Sequence, residues 1–178
     1  MNEKSFVKFP KLSRYSREII VTEKIDGTNA QIFITDDNQF LTGSRKRWIM
    51  PDNDNFGFSE WAHSHKEELM TLGPGRHFGE WWGAGIQRKY GLSEKHFSLF
   101  NTSLWSEDRP RCCDVVPVLW KGIFDDLNIE GIMNHLSQHG SYASPGFMHP
   151  EGIVVFHVAG NIGFKKTIEK DLTGKWDI

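Results

Sequence analysis

An α+β fold, with antiparallel sheets and helices packed outside them, is what this sequence predicts, on three observations. Short runs rich in β-branched residues recur along the chain between turn residues, two of the joints read as hairpins, and only two segments carry a helical period. In chain order, residues 18–24 form the first expected strand. Residues 30–35 and 39–42 alternate around Asp36-Asp37-Asn38, a hairpin signature. Residues 59–72 read as a helix, with Ser59 as N-cap, Trp61, His65, Leu69 and Leu72 along one side, and Gly73 as the stop. A second helix is expected over 126–138, because Ile129, Ile132, Met133 and Leu136 fall at helical spacing before Gly140. Further strands are expected over 76–82, 97–104, 113–119, 152–158 and 161–166. Ala159-Gly160 joins the last two as a hairpin, and Ser144-Pro145-Gly146 marks a loop.

With 178 residues, 38% hydrophobic and 13% aromatic, the chain can bury one substantial core, which predicts a single domain. A formal charge of -2 excludes a generally basic nucleic-acid coat, so any grip on a polyanion must come from local patches. Residues 1–18 form one such basic arm, with Lys4, Lys8, Lys11, Arg14 and Arg17 against Glu3 and Glu18. Arg45-Lys46-Arg47 is the other. Cys112 and Cys113 are adjacent and have no finger-like partners, which favours reduced core thiols over a disulfide or a zinc site. No apolar run is long enough to span a bilayer and no leader pattern opens the chain. A soluble cytoplasmic protein with no membrane partner is expected, and phage or mobile-element origin is equally compatible.

The chemistry concentrates in Glu23-Lys24-Ile25-Asp26-Gly27-Thr28-Asn29, where one lysine lies between carboxylates at a strand end. A lysine amine attacks only when neutral, so a nucleophilic Lys24 needs partial burial or nearby cations to lower its pKa from about 10.4. Gly43-Ser44-Arg45, Phe78-Gly79-Glu80, Phe97-Ser98-Leu99-Phe100, Pro150-Glu151-Gly152-Ile153-Val154-Val155 and Phe164-Lys165-Lys166 follow in that order. Together these six segments, from about residue 18 to 167, resemble the ordered motifs of the covalent nucleotidyltransferases: ATP-dependent DNA ligases, RNA ligases and mRNA capping enzymes.

The resemblance implies an ATP-grasp-like nucleotidyltransferase fold and a role for each motif residue. Lys24 would attack the α-phosphate of ATP and carry AMP, with Lys165, Lys166 and Mg²⁺ (or Mn²⁺) meeting the charge on the phosphate oxygens. Gly27 would let the backbone approach the nucleotide, and Asp26 would contact the metal's water shell or a substrate phosphate. Arg45 would contact ribose and phosphate, and Glu80 a ribose hydroxyl. Glu151 would coordinate the metal. Phe100 would stack on the purine, with Phe97 as the alternative ring. Strand alternation sends one of Lys165 and Lys166 away from the pocket; Lys165 is favoured and both are kept.

Asn29 stands where DNA ligases and capping enzymes usually carry arginine. The string Lys24 to Asn29, preceded by Glu23, looks like the RNA ligases that seal nicks in duplex RNA, some of which carry histidine where this chain has Asp26. In that branch Glu23 would lie near adenine and Asn29 near phosphate or ribose. The implied partners are RNA ends bearing 5′-phosphate and 3′-hydroxyl groups, or DNA ends. The few residues after Thr167 leave no room for the oligonucleotide-binding barrel or helical tail of relatives, so a minimal core is expected, aided by the basic arm or an accessory protein. A small DNA ligase core and a non-catalytic nucleotide or RNA-end binding module are the alternatives. The pairs His63/His65, His135/His139 and His149/His157 lack convincing metal spacing and are assigned no ligand role. Trp81-Trp82 is expected in the core.

Overall fold

The computed structural model describes residues 7–171, and in it the strand-and-turn pattern makes two sheets. The strands are β1 (Glu18–Lys24), β2 (Thr28–Ile34), β3 (Phe40–Ser44), β4 (Trp48–Ile49), β5 (Gly75–Gly83), β6 (Lys95–Leu99), β7 (Asp114–Val115), β8 (Val118–Ile123), β9 (Gly152–His157) and β10 (Ile162–Thr167). Sheet 1 has the order β10-β9-β1-β8, and sheet 2 the order β4-β3-β2-β5-β6-β7. All pairs are antiparallel except β6 with β7. The helices are α1 (Phe58–Ser64), α2 (Lys66–Leu69), α3 (Ile129–His139) and α4 (Ile168–Asp171). Among the described residues, no helix is long and apolar enough to cross a membrane.

Each sheet buries one face under helices. In sheet 1, Ile19, Val21, Ile153 and Val155 alternate onto the side covered by Met133 and Leu136 of α3. In sheet 2, Ala30, Ile32, Ile34, Trp81, Phe97 and Leu99 pack against Phe58, Ala62, Leu69 and Leu72. Burying such a side chain contributes roughly 1.5–3 kcal/mol, so each sheet is fixed to its helical cover. A third cluster, Ile25, Trp82, Tyr90 and Val116, lies where the chain passes between the sheets.

Four expectations are corrected. The helix over 59–72 is three short pieces, α1, α2 and a 3₁₀ turn at Met70–Leu72, broken at His65 with ψ 16°. Its start is Phe58, not a cap at Ser59: the Ser59 hydroxyl is buried against the Thr42 hydroxyl at 2.8 Å. The Asp54 carboxylate instead accepts from the Ser59 and Glu60 N–H groups at 2.7 and 2.9 Å. The strand over 97–104 ends at Leu99, and the one over 113–119 splits into β7 and β8 around Pro117, which has no N–H to give a ladder. The helix over 126–138 begins at Ile129, where Asn128 Oδ1 caps the Gly131 N–H at 2.9 Å. Cys112 and Cys113 are free thiols, the second buried, and Trp81 and Trp82 are both buried.

Lys4 of the basic arm lies outside the described residues. Residues 7–17 of the arm are exposed and run past the Glu18 end of β1. Ser13 Oγ donates to Ala159 O at 2.9 Å, and the Tyr15 ring meets Phe124 at 4.1 Å. At about 3.3 Å per residue, that end is roughly 20 Å along the strand from Lys24.

Candidate functional site

β1 ends at Lys24 and β2 begins at Thr28, so Ile25-Asp26-Gly27 carries the chain from sheet 1 to sheet 2. Each residue of this crossover is pinned. Ile25 is buried in the third cluster, the Asp26 N–H donates to Tyr90 Oη at 2.8 Å, and the Gly27 N–H donates to Glu80 Oε1 at 3.1 Å. Only glycine suits position 27: a Cβ there would lie 2.4 Å from Trp81 O and 2.7 Å from Trp82 Cβ. The lysine is thereby held at a rigid strand end between the sheets.

Lys24 is paired with Gly152 across β1 and β9, which brings the preceding residue, Glu151, beside it. Lys24 Nζ lies 2.5 Å from Glu151 Oε2, with the two side chains 23% and 17% exposed. Position 152 also requires glycine, because its φ is +156° and a Cβ would sit 2.1 Å from Lys166 O. Glu80 completes the group from sheet 2. Its Oε2 accepts from Asn29 Nδ2 at 3.0 Å, and the residue is 7% exposed. Burial pushes the Glu80 carboxyl up to about 7, against the opposing pull of the Lys24 charge and the Gly27 N–H.

The β9–β10 register separates the two lysines of the last motif. Lys165 aligns with Val154 and through it with Thr22, two residues from Lys24 on the same sheet face, whereas Lys166 aligns with Ile153 and Glu23 on the α3 face. Arg45 lies exposed in the β3–β4 turn, just past Ser44, which pairs with Ala30, so its place in the register is at the end of sheet 2 that carries Asn29 and Glu80. Phe100 follows β6 directly; its N–H donates to Phe78 O at 3.0 Å and its ring is 40% exposed. Phe97, the alternative ring, is fully buried against Phe58 and Trp61 and is core.

Two expected contacts take another form. Glu23 is 1% exposed on the face opposite Lys24, where its carboxylate accepts from Ser141 Oγ, Tyr142 N and Ala143 N at 2.6, 2.8 and 2.9 Å. It fastens the 141–143 loop behind β1 instead of facing the space between the sheets. Asp26 Oδ2 is held by Arg88 Nε at 2.9 Å. Arg88 also donates to Glu169 Oε1 at 2.7 Å and to His149 O at 3.4 Å, so one guanidinium ties the crossover, the approach to Glu151 and α4 together. Sequence reading missed Arg88 and Tyr90. Both lie in the β5–β6 connection, more than 60 residues from Asp26, with no local pattern to mark them.

Chemically, the site offers an amine in contact with the Glu151 carboxylate and within electrostatic reach of Glu80, with a further cation, Lys165, on its own sheet face. Among the described residues, no three His, Cys, Asp or Glu side chains gather as a metal cage. A magnesium-type ion commonly binds one or two carboxylates and completes its shell with water and phosphate. Glu151 could hold such an ion, and Asp26 would face it only on exchanging its Arg88 partner.

The RNA ligase family model matches residues 17–170. Solved structures of RNA ligase variants from Naegleria gruberi are similar in fold. One holding ATP and Mn aligns at 20% identity and TM-score 0.67, over 89% of this chain and 51% of that one. One holding AMP and Mn aligns at 20% and 0.67 over 92% and 53%, and another with ATP and Mn at 20% and 0.68 over 90% and 52%. The chain spans about half the length of these relatives. No curated protein sequence matches it.

Proposed function

The chain belongs to the RNA ligase family, and from that premise we propose that it is an ATP-dependent RNA ligase core, one adenylyltransferase domain of ATP-grasp-like fold. The Lys24 amine attacks the α-phosphorus of ATP, the bond to pyrophosphate breaks in line, and AMP remains on Lys24. AMP then passes to an RNA 5′-phosphate, and a 3′-hydroxyl displaces it to close the phosphodiester. The observation that carries this reading is the 2.5 Å contact of Lys24 with Glu151, on the sheet face that also presents Lys165.

The residues divide the work by position. Lys165 meets charge developing on the phosphate oxygens, and Arg45 offers a planar fork for ribose or phosphate at the same end of sheet 2. Glu80 already accepts from Gly27 and Asn29, yet a carboxylate has about four acceptor sites, which leaves room for a ribose hydroxyl. Phe100 offers a half-exposed ring for the purine. Magnesium or manganese held by Glu151 would supply positive charge beside the amine, favouring its neutral form and offsetting phosphate charge. The ATP and Mn in the Naegleria ligase structures support this choice of nucleotide and metal.

The test is joining itself. With ATP and Mg²⁺, a 5′-phosphorylated RNA should accumulate first as an adenylylated end and then as a joined product. Joining of DNA ends with RNA left untouched would overturn the proposal, as would tight ATP binding with no adenylylated product.

A further inference from the structure

Sheet 2 turns one face to α1, and its other face is buried at Glu80, Trp82 and Ser98 but open farther from them. On that open part the register lines up Leu41, Phe33 and Arg76 in one row and Gly43, Gln31 and Phe78 in the next. Trp48, opposite Gly43, extends the second row at one side and Phe100 at the other. The row after that is Asn29 and Glu80 of the candidate site. Trp48 and Phe78 are 48% and 51% exposed, an unusual density of large rings in water for a sheet surface. The Arg76 guanidinium lies 4.1 Å from the Phe33 ring centre and 5.4 Å from that of Trp48, and the two rings are 22° from parallel.

Charge says what could lie there. Arg76, Arg45 and Lys46 are all exposed on or beside this face, while the acidic Asp36-Asp37 turn bounds it beyond Phe33. A polyanion would therefore be drawn to the half of the face that adjoins the candidate site. Exposed rings interleaved with guanidinium groups suit bases whose own faces are free to stack, and a duplex has none to offer along its length.

We infer that Trp48, Arg76, Phe33 and Phe78 form a stacking platform for an unpaired stretch of RNA leading into the candidate site. The inference rests on the proposed RNA substrate and adds to it a preference: single-stranded ends are gripped, and paired ends are not. Base stacking on an exposed ring is a large share of such binding, so losing one ring should weaken it by about tenfold.

The experiment is fluorescence anisotropy with a labelled single-stranded RNA and the matching blunt duplex, using the full chain and its Trp48→Ala, Trp48→Phe and Arg76→Gln variants. Thermal melting verifies that each is folded. Single-stranded RNA should bind more tightly than duplex, about tenfold more weakly to Trp48→Ala and Arg76→Gln, and close to normally to Trp48→Phe. Unchanged binding by Trp48→Ala and Arg76→Gln would overturn the inference. So would equal or tighter binding of duplex, or a Trp48→Ala variant that loses only self-association and keeps its RNA affinity. Labelling of the same proteins by radioactive ATP keeps the two readings apart: RNA effects without label sink the ligase proposal alone, and label without RNA effects sinks the platform alone.

Discussion

Lys24 Nζ and Glu151 Oε2 lie 2.5 Å apart although 127 residues separate them in the chain. The contact follows from one register, Lys24 against Gly152, and from a glycine that lets β9 close on β10 at that point. If Glu151 serves phosphate chemistry through a divalent cation, Glu151→Gln should keep the fold and lose activity. The expected loss in the rate of AMP transfer is about 100-fold or more, read by single-turnover labelling with ATP at a temperature where thermal melting shows the variant folded.

Glu80 makes the site's stability depend on pH. Its folded-state pKa of about 7 stands above the ordinary 4.5, chiefly through burial, so the folded chain favours the protonated acid. The contribution is complete below pH 4.5 and is lost as pH rises through 7, a change of about 3 kcal/mol. Glu80→Gln removes that titration. Urea unfolding across this range should show the variant gaining on the wild type as pH rises, whereas a pH-independent difference would count against the buried acid.

Glu23 should behave as a structural residue. Glu23→Ala strips three donors, Ser141 Oγ and the N–H groups of Tyr142 and Ala143, of their acceptor in a buried setting. A loss of about 2–4 kcal/mol in unfolding free energy is expected, with local loosening of residues 141–144 seen by hydrogen exchange. Choice between ATP and GTP should be unaffected. A stable variant with altered base preference would restore Glu23 to the adenine contact that its motif suggests.

Local pattern explains what the sequence revealed. β1, the β2–β3 hairpin and the β9–β10 hairpin follow from period-two alternation and turn residues, and the motifs name Lys24, Glu80 and Glu151, which the fold brings near one another. Helical spacing alone did not reveal the break at His65, because Leu69 and Leu72 keep the same buried side across it. Pro117 was a readable signal for the split between β7 and β8. Arg88, Tyr90 and the true partners of Glu23 were not readable, since each joins segments by side-chain contacts across more than 60 residues. Nor did alternation alone choose between Lys165 and Lys166; it said that they differ, and the β9–β10 register says how.

Arg88 is expected to act as a clamp. Arg88→Ala removes charge-assisted bonds to Asp26 and Glu169 from a side chain only 22% exposed, and should cost about 2 kcal/mol of stability. Because Asp26 would then be free to turn towards bound cations, the metal concentration for half-maximal labelling should also change, with Arg88→Lys intermediate. A variant with unchanged stability and unchanged metal dependence would show that the bridge is incidental.

The measurement that bears most directly on the central claim is the mass of the intact protein after incubation with ATP and Mg²⁺, followed by peptide mapping. One AMP, attached through Lys24 and absent from a Lys24→Ala variant, is the expected result. An unmodified wild-type chain, or equal modification of Lys24→Ala, would contradict it.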